Sequence, residues 1–340
     1  WCASLQNCTE LATLDLSFNE IKQRGAGLFA RIIPKIPQLK RFNIGSNNIS
    51  DVGLEKLSHG FALCHALSNI DISRNTLSSG DIVAGCIVAI PQLSHVNISM
   101  NGDIFLNGSD KIAKALQICR NLTRLELSCV QLHFRNTVQR LAAVLPGCRS
   151  LEYLSVSDNN LQDLEFEEIS KALPSCPKLH TFNISNNLTM HDGISKLCGA
   201  LPNCILLTDL DLSFISRNDS IRHDIMHKVV HFLSRCVLLQ NLSLAKNNLG
   251  TRGIGILAQR LPCFSALQSL DLSENGVTNG ALKRLSTFLP NCRNLVALSL
   301  SDNMIEDGEL FHLTSVLPYC PSLQRLDLDN NHISDSGMQI

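Results

Sequence analysis

Residues 267–292 read LQSLDLSENGVTNGALKRLSTFLPNC, and every other part of the chain can be aligned to them. Leu267, Leu270, Leu272, Asn275 and Val277 stand at relative positions 0, 3, 5, 8 and 10. Leu285 and Leu289 follow four apart, then Pro290 and Cys292. The order restarts 28 residues on at Leu295, with Leu298, Leu300, Asn303 and Ile305. A fixed period of this length marks stacked supersecondary units in place of one closed core.

Working outward, units begin at Leu11, Leu39, Leu67, Leu93, Leu122, Leu151, Leu179, Leu207, Leu239, Leu267, Leu295 and Leu323. Positions 0, 3 and 5 are Leu, Ile, Val or Phe in all twelve. Apolar residues at 3 and 5 with one residue between them predict a short strand with one buried face. Position 8 is Asn in ten of the twelve, and its amide can bond the backbone of neighbouring turns as a ladder; a buried Asn is costly only when unpaired. Later in each unit, apolar residues ten and six before the next start share one helix face. Leu257 with Leu261 and Leu285 with Leu289 are two such pairs. Pro sits five before the start in seven units, where it ends the helix. Each unit is therefore strand, turn, helix, turn.

The unit LxxLxLSxNxI…GxxxLxxxLPxC resembles the ribonuclease-inhibitor-like subclass of leucine-rich repeats, and the resemblance covers the whole chain. It implies an α/β fold, a curved right-handed solenoid with a parallel sheet on the concave face and helices on the convex face. Near-uniform 28-residue units with an LPxC ending resemble the C-terminal arrays of NLR proteins, cytosolic nucleotide-binding receptors of innate immunity. That resemblance implies a non-enzymatic ligand-sensing or autoinhibitory module, cytoplasmic with the nucleus as an alternative, touching domains upstream of it. A second implication, from another class, is a GTPase regulator resembling the Ran activator. The chain starts at Trp1, late in a helix, and stops at Ile340, where another helix is due. We therefore expect 1–340 to be a single solenoid domain truncated at both ends.

Composition narrows the function classes. The formal net charge of −1 lacks the basic excess of a nucleic-acid surface. The longest apolar run, Ile82 to Ile90, falls well short of the ~20 residues of a membrane span. No P-loop, HExxH or GxSxG is present, and no cofactor is expected. Nine of the fourteen cysteines, from Cys8 to Cys320, lie three before a repeat start. They occupy one equivalent site, which predicts packed, reduced thiols and a reducing compartment. N-x-S/T sequons at Asn97, Asn183 and Asn241 follow from the period itself.

Several features are not dictated by the period. The spacing falls to 26 between Leu67 and Leu93, and the next turn reads NGDIFLNGSD from Asn101 to Asp110. Val130 and Ile215 replace Asn at position 8. The unit from Leu207 carries four additional residues before its helix, and insertions in repeat proteins map to loops. His223, His227 and His231 recur every fourth residue. They form a solvent-facing stripe, a weak metal candidate through paired i, i+4 imidazoles.

The remaining candidate surface is the exposed sheet face, at positions 2, 4, 6 and 7. Eleven acids and five bases occupy it, and Ser fills position 6 in nine units. That asymmetry would draw a protein partner with a basic surface. Asp209, Asp211, Phe214, Asp271 and Glu274 are the primary candidate site, combining charge with an aromatic anchor. Tyr153 and Phe18 are further outward aromatics.

Overall fold

The computed structural model describes residues 2–134, 136–189, 192–215 and 223–337. They form two compact units, Trp1–Asn160 with Ser175–Lys178, and Leu161–Pro174 with Leu179–Ile340.

The first unit contains helix α1 (Cys2–Leu5), strand β1 (Thr13–Asp15), α2 (Lys22–Ile32), β2 (Arg41–Asn43), α3 (Ser50–Phe61) and β3 (Asn69–Asp71). It continues with α4 (Gly80–Val88), β4 (His95–Asn97), α5 (Ile104–Ile118), β5 (Arg124–Glu126), α6 (Thr137–Val144) and β6 (Tyr153–Ser155). The six strands lie parallel in sequence order. Equivalent positions pair, as in Leu14 with Phe42.

The second unit contains α7 (Asp163–Ala172), β7 (Thr181–Asn183), α8 (Asp192–Ala200), β8 (Asp209–Asp211), α9 (His223–Leu233) and β9 (Asn241–Ser243). Then come α10 (Gly250–Arg260), β10 (Ser269–Asp271), α11 (Asn279–Phe288), β11 (Ala297–Ser299), α12 (Asp307–Thr314) and β12 (Arg325–Asp327). Its strands are likewise parallel and sequential.

The core lies between strands and helices. Position 3 is buried in all strands but β12, while positions 2 and 4 are mostly partly exposed. The Phe42 ring of β2 meets Phe29 of α2 at 6.3 Å and Phe61 of α3 at 5.6 Å, stitching the layers together. From the second repeat start to the eleventh the paired helix positions are buried as predicted, Leu257 with Leu261 and Leu285 with Leu289 among them, while Leu5 in the first repeat is half-buried. Leu317, beside the last strand, is only half-buried. The seven prolines do not simply stop each helix. Each is the second residue of a 3-10 turn, as in Leu289–Asn291, which tightens the helix end.

The position-8 asparagines form the expected ladder. Asn275 Nδ2 donates to the Leu244 carbonyl of the preceding repeat at 2.9 Å. Its Oδ1 accepts from the Asn247 and Leu249 amides at 3.1 and 3.2 Å. Asn47, Asn75 and Asn101 repeat this geometry in the first unit. Val130 and Ile215 are fully buried there instead and accept no partner of that kind, although Asn159 and Asn247 still serve their amides.

Two expectations are corrected. NGDIFLNGSD is a turn only over residues 101–103: α5 starts at Ile104 and runs through the rest. Ile104 and Phe105 are buried, so apolar anchoring outweighs the Asn and Gly turn signals. The in-register cysteines are not uniformly protected. Cys64, Cys119, Cys148, Cys176, Cys204 and Cys236 are buried, Cys292 and Cys320 half-buried, and Cys8 exposed at the first repeat. The thirteen cysteines from Cys8 to Cys320 are free thiols. No described helix is long and apolar enough to cross a membrane.

Candidate functional site

The strand face opposite the core presents positions 2, 4, 6 and 7. Asp and Asn at position 4 have a local task there. Asp211 Oδ1 accepts from the Ser213 amide at 2.9 Å and its hydroxyl at 2.6 Å. Asp271 does the same with Ser273, Asp15 with Ser17, and Asn183 with Ser185. The carboxylate satisfies the amide just beyond the strand, as Asx side chains do in turns. These bonds from Ser17 hold the Asp15 carboxyl below the usual range. The recurring D-x-S and N-x-S are thus strand-ending devices. Asn97, in one sequon, bonds the Ser99 amide through Oδ1 and the Asp71 carboxylate through Nδ2.

Position 6 is also less open than its small serines suggest. Ser99 and Ser157 are buried, as is Ala245 at the same position. The Ser128 hydroxyl joins those of Ser155 and Ser157, each at 2.9 Å.

Position 7 is where the chain leaves the sheet. Phe18, Arg74, Met100, Cys129, Phe214, Lys246 and Glu274 all have φ between 50 and 58°, a left-handed conformation that side chains of these types rarely adopt. The backbone imposes it: the Phe214 amide donates to the Ala245 carbonyl and the Glu274 amide to that of Ser301.

In the second unit, the predicted site residues share this face. Asp209 pairs in register with Asn241, whose Nδ2 donates to Asp209 Oδ1 at 2.6 Å. Asp211 and Asp271 flank Ser243, which bonds the Ser213 hydroxyl at 2.6 Å and Asp271 Oδ2 at 3.3 Å. Glu274 pairs with Lys246 at 2.7 Å, raising the lysine pKa. Phe214 is half-buried. The charge asymmetry is concentrated here. Asp209, Asp211, Asp271, Glu274, Asp302, Asp327 and Asp329 face only Lys246 and Arg325. The first unit's face is nearly balanced, with Asp15, Asp71, Glu126 and Asp158 against Arg41, Arg74 and Arg124.

In the first unit, Phe18 is 77% exposed. Tyr153 is not a bare ring: the Arg124 guanidinium lies 3.5 Å above its centroid. Arg124 Nε also reaches Glu126 Oε1 at 2.7 Å, and His95 Nε2 lies 3.1 Å from the same oxygen. Burial raises the Glu126 pKa, but the bonds from His95 and Arg124 outweigh it and leave the carboxyl below its usual range. The sequence reading missed this cross-strand cluster. His95, Arg124 and Tyr153 all occupy position 2, and aligning that column would have exposed it.

His227 and His231 are exposed on α9, as the helical spacing predicted. The side chain of His223, and the insertion at 216–222, lie outside the described residues.

A profile described as "Leucine Rich repeat" matches residues 7–30, 37–58, 147–164 and 319–339. This is a leucine-rich-repeat fold. Among solved leucine-rich-repeat structures, Rad7 in the yeast Rad7–Elc1 complex is similar with a TM-score of 0.62. The match has 18% identity and covers 98% of this chain and 80% of that one. An internalin, InlF of Listeria monocytogenes, gives a TM-score of 0.56 at 18% identity, covering 98% and 84%. Protein NLRC5 of Ictalurus punctatus is 26% identical over 109 residues, 31% of this chain. The matched stretch spans 6% of that protein's length.

Proposed function

We propose that this leucine-rich-repeat segment binds a protein partner through the open sheet face of its second unit, and that the partner presents a basic surface. The observation that carries the reading is the seven carboxylates opposed by Lys246 and Arg325 alone. Such a face steers a cationic partner and suppresses acidic ones. Solenoids bind over several repeats at once, and β8, β10 and β11 all contribute.

The parent is read as a cytosolic NLR-like receptor with the LPxC repeats of the ribonuclease-inhibitor-like subclass. The similarity to a part of NLRC5 supports this, and the Rad7 structure gives a precedent for a fold of this kind in a protein complex.

Position 4 is unsuited to a test by charge reversal, because Asp211 and Asp271 hold their own strand ends. Glu274 and Asp302 are exposed and lie beyond the strands. The double variant Glu274→Lys, Asp302→Lys should slow association with a captured partner about tenfold and flatten its salt dependence. Unchanged association would move the site off this face.

A further inference from the structure

On the helix side of the first unit, α2 and α3 enclose an open groove of about 920 Å³, at the upper end of the range for binding pockets, about 300–1,000 Å³. Gly60 lets the helices approach: a β-carbon there would sit 2.5 Å from the Ala30 carbonyl oxygen. Arg24, Arg31, Lys35, Lys56 and His59 line the groove, and no acidic side chain does. All five are exposed. Among the described residues none of them has a carboxylate partner within 4.0 Å; Lys35 donates to the Gln6 amide oxygen instead. The Lys56 stem crosses α2 at Gly27, where a β-carbon would lie 3.2 Å from its Cδ.

The same groove carries uncovered apolar surface. Leu28, Val52 and Leu63 line it and are 48%, 47% and 63% exposed. Unpaired cations beside large exposed aliphatics form a mixed surface. A nucleic acid would leave the aliphatics uncovered, and a flat lipid surface would not fill the groove. A helix carrying both carboxylates and leucines satisfies both features. Helices of eleven or twelve residues such as α2 and α3 run about 17 Å, long enough to seat about three turns of a partner.

We infer that the α2–α3 groove docks an acidic amphipathic helix of a partner protein. Its leucine-type side chains pack on Leu28, Val52 and Leu63, and its flanking carboxylates pair with Arg24, Arg31, Lys35 and Lys56. This surface is separate from the acidic sheet face, so it survives failure of that assignment.

The test is fluorescence anisotropy with the full chain and a labelled synthetic peptide of about 14 residues, Leu at i, i+3 and i+7 and Glu elsewhere. We expect saturable binding, weakened at least about tenfold by Arg31→Glu with Lys56→Glu, and similarly by Leu63→Ser. Scrambling the peptide so that its leucines no longer align should weaken it as much. All three substitutions are at exposed positions, and unchanged circular dichroism and melting would verify folding. Equal binding of poly-glutamate or the scrambled peptide would reduce the groove to a general anion surface and overturn the proposal. So would binding that survives both variants, or binding of phosphatidylserine vesicles without the peptide.

Discussion

Gly80, at the start of α4, and Gly108, inside α5, pass backbone against backbone. A β-carbon on Gly80 would lie 2.5 Å from the Gly108 α-carbon. This contact sits where the repeat spacing shortens to 26. Gly80→Ala or Gly108→Ala should therefore cost about 1–3 kcal/mol, the range for overpacking. Gly85, on the exposed side of α4, meets nothing within 4 Å, and Gly85→Ala should stabilise by about 0.5–1 kcal/mol through helix propensity. Urea denaturation checks both signs, and similar losses at all three sites would disprove the close approach.

The asparagine ladder makes an asymmetric prediction. Asn275→Val removes the partner of two buried amides and of the Leu244 carbonyl, and each stranded group costs about 1–3 kcal/mol. Val130 already occupies a ladder position without an amide. Val130→Asn should cost much less than the reverse change, because adjacent turns can receive the added amide. Chemical denaturation of the two variants side by side decides this.

Position 7 stores backbone strain. Phe18 has φ 56° and is 77% exposed, so its ring adds little to the core. Phe18→Asn should raise stability by about 1 kcal/mol, since Asn tolerates the left-handed region. A lower thermal midpoint would show that the ring packs on something that offsets its strain.

The buried thiols set an alkaline limit. Burial raises the pKa from 9.0 to about 11 at Cys119, Cys148, Cys204 and Cys292, and to about 12 at Cys86 and Cys236. The folded chain therefore holds protons that the unfolded chain releases. Their contribution is complete below pH 9 and is lost progressively as pH rises to about 12. Urea midpoints should fall across that window. A midpoint independent of pH there would contradict the burial.

Labelling offers a companion measurement. At about pH 8, Cys8, Cys129 and Cys263 should react with a thiol reagent well before Cys148, Cys204 or Cys236. Mass spectrometry of the labelled peptides gives the order. Early modification of Cys204 would mean that its repeat opens readily.

The strand and helix phases were legible in the sequence because each buried position recurs with one period. Leu270, Leu285 and Asn275 are identifiable from that alone. The open face was only partly legible. The letters D-x-S at Asp211 and Ser213 read equally as acidic surface or as a strand end, and only the hydrogen bonds separate the two. The left-handed backbone at Phe214 and Glu274 leaves no mark, since neither is Gly or Asn. The Arg124–Tyr153 stack and the α2–α3 groove join residues roughly one repeat apart, which local patterns do not register. At Gly108 the turn signal misled, because burial of Ile104 and Phe105 decided the conformation.

The hydrogen bonds from position 4 to position 6 also constrain how this surface can diverge. Two columns of the open face are committed to ending strands and joining neighbours, and substitution there trades against folding. Positions 2 and 7 carry the freedom, and they hold the most varied residues, from His95, Tyr153 and Asp209 to Phe18, Lys246 and Glu274. On the proposed binding face, specificity would be written in a two-letter word per repeat, and a lineage could retune its partner by changing those letters while the scaffold's grammar stays fixed.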